Sequence, residues 1–226
     1  MFVMMPIVFI LAALPRTETR ALSEAPIGAA SRVWITGASN IRHFTCTAHE
    51  VGGVLALHGR QTDQPVLSGE NTSARPSLTV SVGQLDCGIG IMNRHLRDAL
   101  HAAQHPRIEF RLAAYQVDLR ADPVVAQLTG RVVIAGVERP LMTTAEVRAD
   151  SLGLMHVVGR YVVHLSDFGV TPPRRFGGLL RVRDRATVHF DIVVEPDGGV
   201  IDHIRCGTHH HTDSDPLTRP NHALHS

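Results

Sequence analysis

The chain has 226 residues, 44% of them hydrophobic, enough for one domain with a real core and too apolar for general disorder. Its formal net charge is +1, from 22 basic and 21 acidic side chains, so the basic excess of a nucleic-acid binder is missing. Every basic residue is arginine, which excludes a lysine Schiff base and a Walker phosphate loop, and the 3 cysteines are too few for a disulfide scaffold or a zinc ribbon.

Met1 to Leu14 is apolar, shorter than a membrane span and followed by polar residues. Residues 1–25 read as a signal peptide or N-terminal anchor, with a buried strand as the alternative. From Ser31 to Glu195 the apolar residues alternate. Candidate strands cover 31–38, 41–49, 51–58, 77–82, 107–112, 124–135, 140–149, 154–166, 179–185 and 187–194. Leu78, Val80 and Val82 share one face, as do Ile108, Phe110 and Leu112, and Val188, Phe190, Ile192 and Val194. Such alternation suits antiparallel strands with one buried and one wet face. Gly37 to Asn40, Gly52-Gly53, Gly136 to Pro140 and Asp150 to Gly153 supply turn signals. The stretch Arg60 to Pro76 is polar and aperiodic, and reads as a loop.

One segment, 90–104, has helical spacing, with Met92, Leu96, Ala99, Leu100 and Ala103 on one face. Asn93 or Asp86 would help start this helix, and His105-Pro106 would end it. A single amphipathic helix among closely spaced strands predicts a plug or lid on a barrel. The stretch 196–226 carries Cys206 and the run His209-His210-His211 without apolar periodicity, and reads as a disordered His-rich tail with adventitious metal binding at most. No metal site or cofactor is expected. Nucleophile elbows, zinc-protease helices and paired catalytic carboxylates are absent from the sequence, so no enzyme is expected. His164 with Asp167 is the one conceivable His/Asp pair, and His189 and Asp191 fall opposite the apolar face of the last strand, towards water.

Four stretches, in order, resemble the YceI-like family of bacterial proteins. They are Trp34-Ile-Thr-Gly-Ala-Ser-Asn-Ile-Arg-His-Phe44, the helix running into His105-Pro-Arg-Ile-Glu-Phe110, the hairpin Leu128 to Leu141 with Gly136-Val-Glu-Arg-Pro140, and the corner Ser166-Asp-Phe-Gly-Val170. Leu165 stands where the family commonly has an arginine before that corner. The resemblance spans 31–195. It implies an all-β, eight-stranded antiparallel, lipocalin-like barrel with the helix at its mouth. It also implies non-catalytic binding of an isoprenoid or other lipid-like molecule inside. The leader adds a location in the periplasm or outside the cell, the charge balance adds that no nucleic acid is bound, and a monomer or homodimer is expected. A ligand-free structural or partner-binding barrel is the alternative, and an unrecognised enzyme or metal binder a remote third.

The interior residues expected to meet such a ligand are Phe44, Val80, Val82, Leu96, Leu100, Phe110, Leu112, Tyr161, Val163, Phe168 and Phe190, with ordinary core packing as the competing reading. Arg174, Arg175, Arg181 and Arg183 would meet a phosphate head group, if they are not simply a solvated face. In an exported protein Cys46 and Cys87 should pair as a disulfide; two separate buried thiols are the alternative.

Overall fold

The computed structural model describes residues 24–56, 66–70, 75–172, 174–175 and 180–194. The expected leader up to residue 23 and the His-rich tail lie outside the described residues. Strands and helix follow in the order β1 (Glu24–Pro26), β2 (Arg32–Ser39), β3 (His43–Ala48), β4 (Val51–Gly52), β5 (Val54–Ala56), β6 (Val66–Glu70), β7 (Leu78–Ser81), β8 (Leu85–Asp86), α1 (Gly90–Ala99), β9 (Arg107–Asp118), β10 (Val125–Ile134), β11 (Val137–Ala149), β12 (Met155–His164), β13 (Arg174–Arg175) and β14 (Leu180–Val194). Single 3-10 turns occupy Val82–Gln84 and Leu165–Phe168.

Every pairing is antiparallel, and the main sheet runs β4-β7-β9-β10-β11-β12-β14-β2-β3-β8. The two ends of that order are two halves of the same strand pair. β3 runs on into β4, and β7 runs through its 3-10 turn into β8. Ala48 pairs with Leu85 and Val51 with Val80, while the His49 N–H donates to the Gln84 carbonyl at 3.1 Å between them. Merging these halves leaves eight strands in a curled sheet that comes round on itself, the lipocalin-like arrangement expected.

Cross-strand pairs share a face, so the register identifies the inward residues. On β10 these are Ala126, Leu128, Gly130, Val132 and Ile134, with Gln127, Thr129 and Arg131 outward. Ala135-Gly136 closes the β10–β11 hairpin with φ values of 48° and 79°, the left-handed pair that a two-residue turn needs.

Three elements depart from the sequence reading. The helix stops at Ala99 rather than Gln104, because His101 adopts φ 51° and breaks the hydrogen-bond run. β9 continues to Asp118 across an irregularity opposite Thr129/Gly130, and its second half pairs with β6, inside the stretch read as a loop. The last two predicted strands are one, β14, kinked between Val182 and Ala186 where its register to β2 shifts.

Candidate functional site

The inward face of the curled sheet is apolar, and its residues differ in how far they are enclosed. Val33, Ala126, Ala145, Val147, Met155, Ile192 and Val194 are buried. Ile35, Phe44, Leu128, Thr143, Tyr161, Val188 and Phe190 also point inward yet keep part of their surface accessible. Of these, Ile35, Leu128, Tyr161, Val188 and Phe190 pack against the buried cluster while keeping that surface. The Tyr115 hydroxyl, inward opposite Leu128, is pushed above its usual pKa by burial, as an apolar lumen would do.

Aromatic rings and strand glycines are arranged together on this face. Phe44 pairs directly with Gly37, and Phe190 with Gly159. A Cβ at Gly159 would fall 2.5 Å from Phe190 Cζ, one at Gly37 would strike the Phe44 ring, and one at Gly130 would strike the Arg111 carbonyl oxygen first and then fall 2.8 Å from Phe110 Cε2. The Phe44 and Phe190 rings therefore lie along the wall over Gly37 and Gly159, and the Phe110 ring lies beside Gly130, whose Cβ position is already closed by the Arg111 carbonyl. The aromatic volume is set against the sheet instead of across the lumen. Nothing in the alternation pattern reveals this, because a strand glycine reads as a turn signal or a gap.

The expected ligand contacts divide in two. Val80, Val82, Leu100, Leu112, Val163 and Phe168 are fully buried. Phe44, Leu96, Phe110, Tyr161 and Phe190 are half-buried and have surface to offer. Of the expected head-group arginines, Arg181 and Arg183 are exposed on β14, and β13 lies beside them with Arg174 opposite Arg181. The side chains of Arg174 and Arg175 lie outside the described residues.

Cys46 and Cys87 form the expected disulfide. It extends the β3–β8 ladder by one step, since Thr47 pairs with Asp86 and Ala48 with Leu85. Beyond it, the Asn93 amide carbonyl accepts the Cys87 N–H at 2.7 Å and its NH2 donates to Asp86 at 2.7 Å. Asp86 and Asn93 thus hold the lead-in to α1, although the N-cap, Ile89, has no side-chain bond.

On the outward face, the surroundings of Asp191 and of His164 differ from the sequence reading, while His189 lies opposite the apolar face as expected. Asp191 does not face water: it is 4% exposed and takes His156 Nδ1 at 2.8 Å and Arg32 at 3.3 Å. His189 stacks on Trp34 at 5.2 Å and shares a 2.9 Å hydrogen bond with Thr36. His164 sits 3.5 Å from Asp184 rather than pairing with Asp167, because Asp184 is drawn to the corner by the N–H and hydroxyl of Ser166 at 2.8 and 2.7 Å. Among the described residues no hydroxyl or thiol is bonded to His156, so its two carboxylate neighbours orient it without a nucleophile to activate.

A profile of the YceI-like domain matches residues 29–194. The chain belongs to the YceI-like family. Among solved structures, this YceI-like chain is similar to Burkholderia cenocepacia BcnA, at 15% identity, covering 74% of this chain and 98% of that one, with a TM-score of 0.54. It is also similar to a polyisoprenoid binding domain from Saccharophagus degradans implicated in plant cell wall breakdown, at 14% identity, 78% and 100% coverage and a TM-score of 0.53. At these identities the likeness concerns the fold. No curated protein matches the sequence.

Proposed function

We propose that the chain is a non-catalytic carrier that holds an isoprenoid or similar apolar lipid inside its barrel, in the bacterial cell envelope. The observation that carries this reading is the set of inward apolar side chains that keep accessible surface, above all Phe44, Leu128, Tyr161, Val188 and Phe190. An isoprene unit has five carbons, so at about 0.8 kcal/mol per buried carbon it gains about 4 kcal/mol. Association costs about 4–15 kcal/mol. Four or more units would therefore outweigh even the upper end of that cost without a hydrogen bond, whereas a single unit at best matches the lower end. The disulfide and the apolar stretch Met1 to Leu14 support an oxidising, exported location.

Val188 faces the lumen between Tyr161 and Ile35. Val188→Trp fills that level. Equilibrium binding of a four-unit prenyl alcohol should weaken by about tenfold or more in this variant, with far-ultraviolet circular dichroism unchanged. Equal binding by both proteins would place the ligand elsewhere.

A further inference from the structure

β11 and β12 do not stay paired along their length. Their ladder runs from Ala149 opposite Met155 to Ala145 opposite Gly159 and stops. Past that point β11 continues to Val137 with β10 as its partner, and β12 continues to His164 with β14. Pro140 lies in the unzipped part of β11 and has no N–H to give to either neighbour. A side chain replaces the ladder at one end of the gap, where the Thr143 hydroxyl donates to the Arg160 carbonyl at 2.9 Å. At the other end Arg139 Nε donates to the Asp167 carbonyl at 2.9 Å, tying β11 to the 3-10 turn Leu165–Phe168.

Between the two ties lies a pocket of about 230 Å³, lined by Arg139, Pro140, Tyr161, Val163, His164 and Phe168 among others. Tyr161 and Val163 are inward residues of β12, paired with Val188 and Ala186. Val162 and His164, on the opposite face of the same strand, line the pocket too. The pocket therefore lies along the unpaired edge of β12, where residues of both faces come to its rim.

Its polar lining combines an arginine, a tyrosine hydroxyl and a histidine. Arg32, Arg111 and Arg131 each pair with a carboxylate. Arg139 instead touches only carbonyl oxygens, those of Asp167 and Glu138, and forms no ion pair with a described residue. The Tyr161 hydroxyl has no hydrogen bond to a described residue. His164 is offset by Asp184. Asp167 contributes the one carboxylate of the lining, on an exposed turn residue. The volume is below the ~300–1,000 Å³ usual for a whole small ligand, so the pocket suits a head group whose chain lies elsewhere.

We propose that this seam is a lateral portal and that Arg139, with the Tyr161 hydroxyl, holds the phosphate head group of a prenyl phosphate. The inference rests on the lumen reading above, since the chain of that ligand would run inward past Tyr161. A guanidinium without a carboxylate partner suits bidentate contact with phosphate.

The test compares two probes with the same four-unit chain, a prenyl phosphate and its alcohol, on the full protein. Arg139→Ala should weaken the phosphate by about tenfold or more and leave the alcohol within about twofold. Tyr161→Phe, which removes one oxygen, should act in the same direction with a smaller loss. Arg181→Ala and Arg183→Ala should leave both affinities alone. Equal losses for both probes in Arg139→Ala, or discrimination carried by Arg181 and Arg183, would overturn the seam site while leaving the lumen reading intact. Failure of the wild-type protein to bind the alcohol would overturn the lumen reading itself. Should Arg139→Ala lose its thermal transition, Arg139→Met, which keeps the stem, and Tyr161→Phe decide the matter.

Discussion

Asp184 accepts both the hydroxyl and the N–H of Ser166, and these bonds hold its carboxyl below the ordinary carboxylate value, with His164 adding a little. Asp86 and Asp150 are lowered in the same way, by Asn93 and by the Leu154 N–H respectively. A folded pKa below the unfolded one gives stability that is fully present above the unfolded value. That stability is lost as pH falls through the folded value. The melting temperature should therefore hold down to about pH 4, near the unfolded carboxylate value, and fall below it. Asp184→Asn should melt lower than wild type at pH 7, and the gap should narrow by pH 3; a gap that stays constant in thermal melts would contradict the assignment. At this scale the sequence was only partly legible. His164 is visible as a partner for a carboxylate, but its partner in the structure, Asp184, is brought back to it by the fold from further along the chain. Burial of Asp191 on an outward face was not visible at all, because it depends on Arg32 and His156 from two neighbouring strands.

The strands themselves were legible because alternation follows directly from having one face on a lumen. β7, β10, β11 and β12 fall close to their expected bounds. What alternation misses is interruption. β6 pairs with β9 although it sits in a polar stretch, since a few residues can complete an edge without a periodic signal. The α1 boundary was missed because apolar spacing continues through Ala102 and Ala103 after His101 has already left helical geometry. The disulfide belongs to this scale too. It links residues 41 apart, which in the chain-entropy model amounts to roughly 4 kcal/mol. The double variant Cys46→Ser/Cys87→Ser should lower the unfolding free energy by about 2–4 kcal/mol in urea titrations, and wild type with reductant should approach it. A loss under about 0.5 kcal/mol would mean that the β3–β8 ladder holds the lead-in to α1 without the cross-link.

For the whole molecule, eight strands among the described residues come round on themselves around an interior lined by apolar side chains, with aromatic rings laid against strand glycines. The order of four short motifs pointed to this architecture, and the match over 29–194 bears it out. The lumen's contents were less legible, since the same Val, Leu and Phe pattern serves a solid core or an open one. Only the register and the accessible surface of the inward residues separate the two. Native mass spectrometry of the protein purified without organic solvent from its own host, followed by chloroform extraction, tests the central claim most directly. The account predicts a bound species, released by extraction, whose mass fits a prenyl chain of four or more five-carbon units. A bare polypeptide mass from folded protein, even after incubation with host lipids, would contradict it.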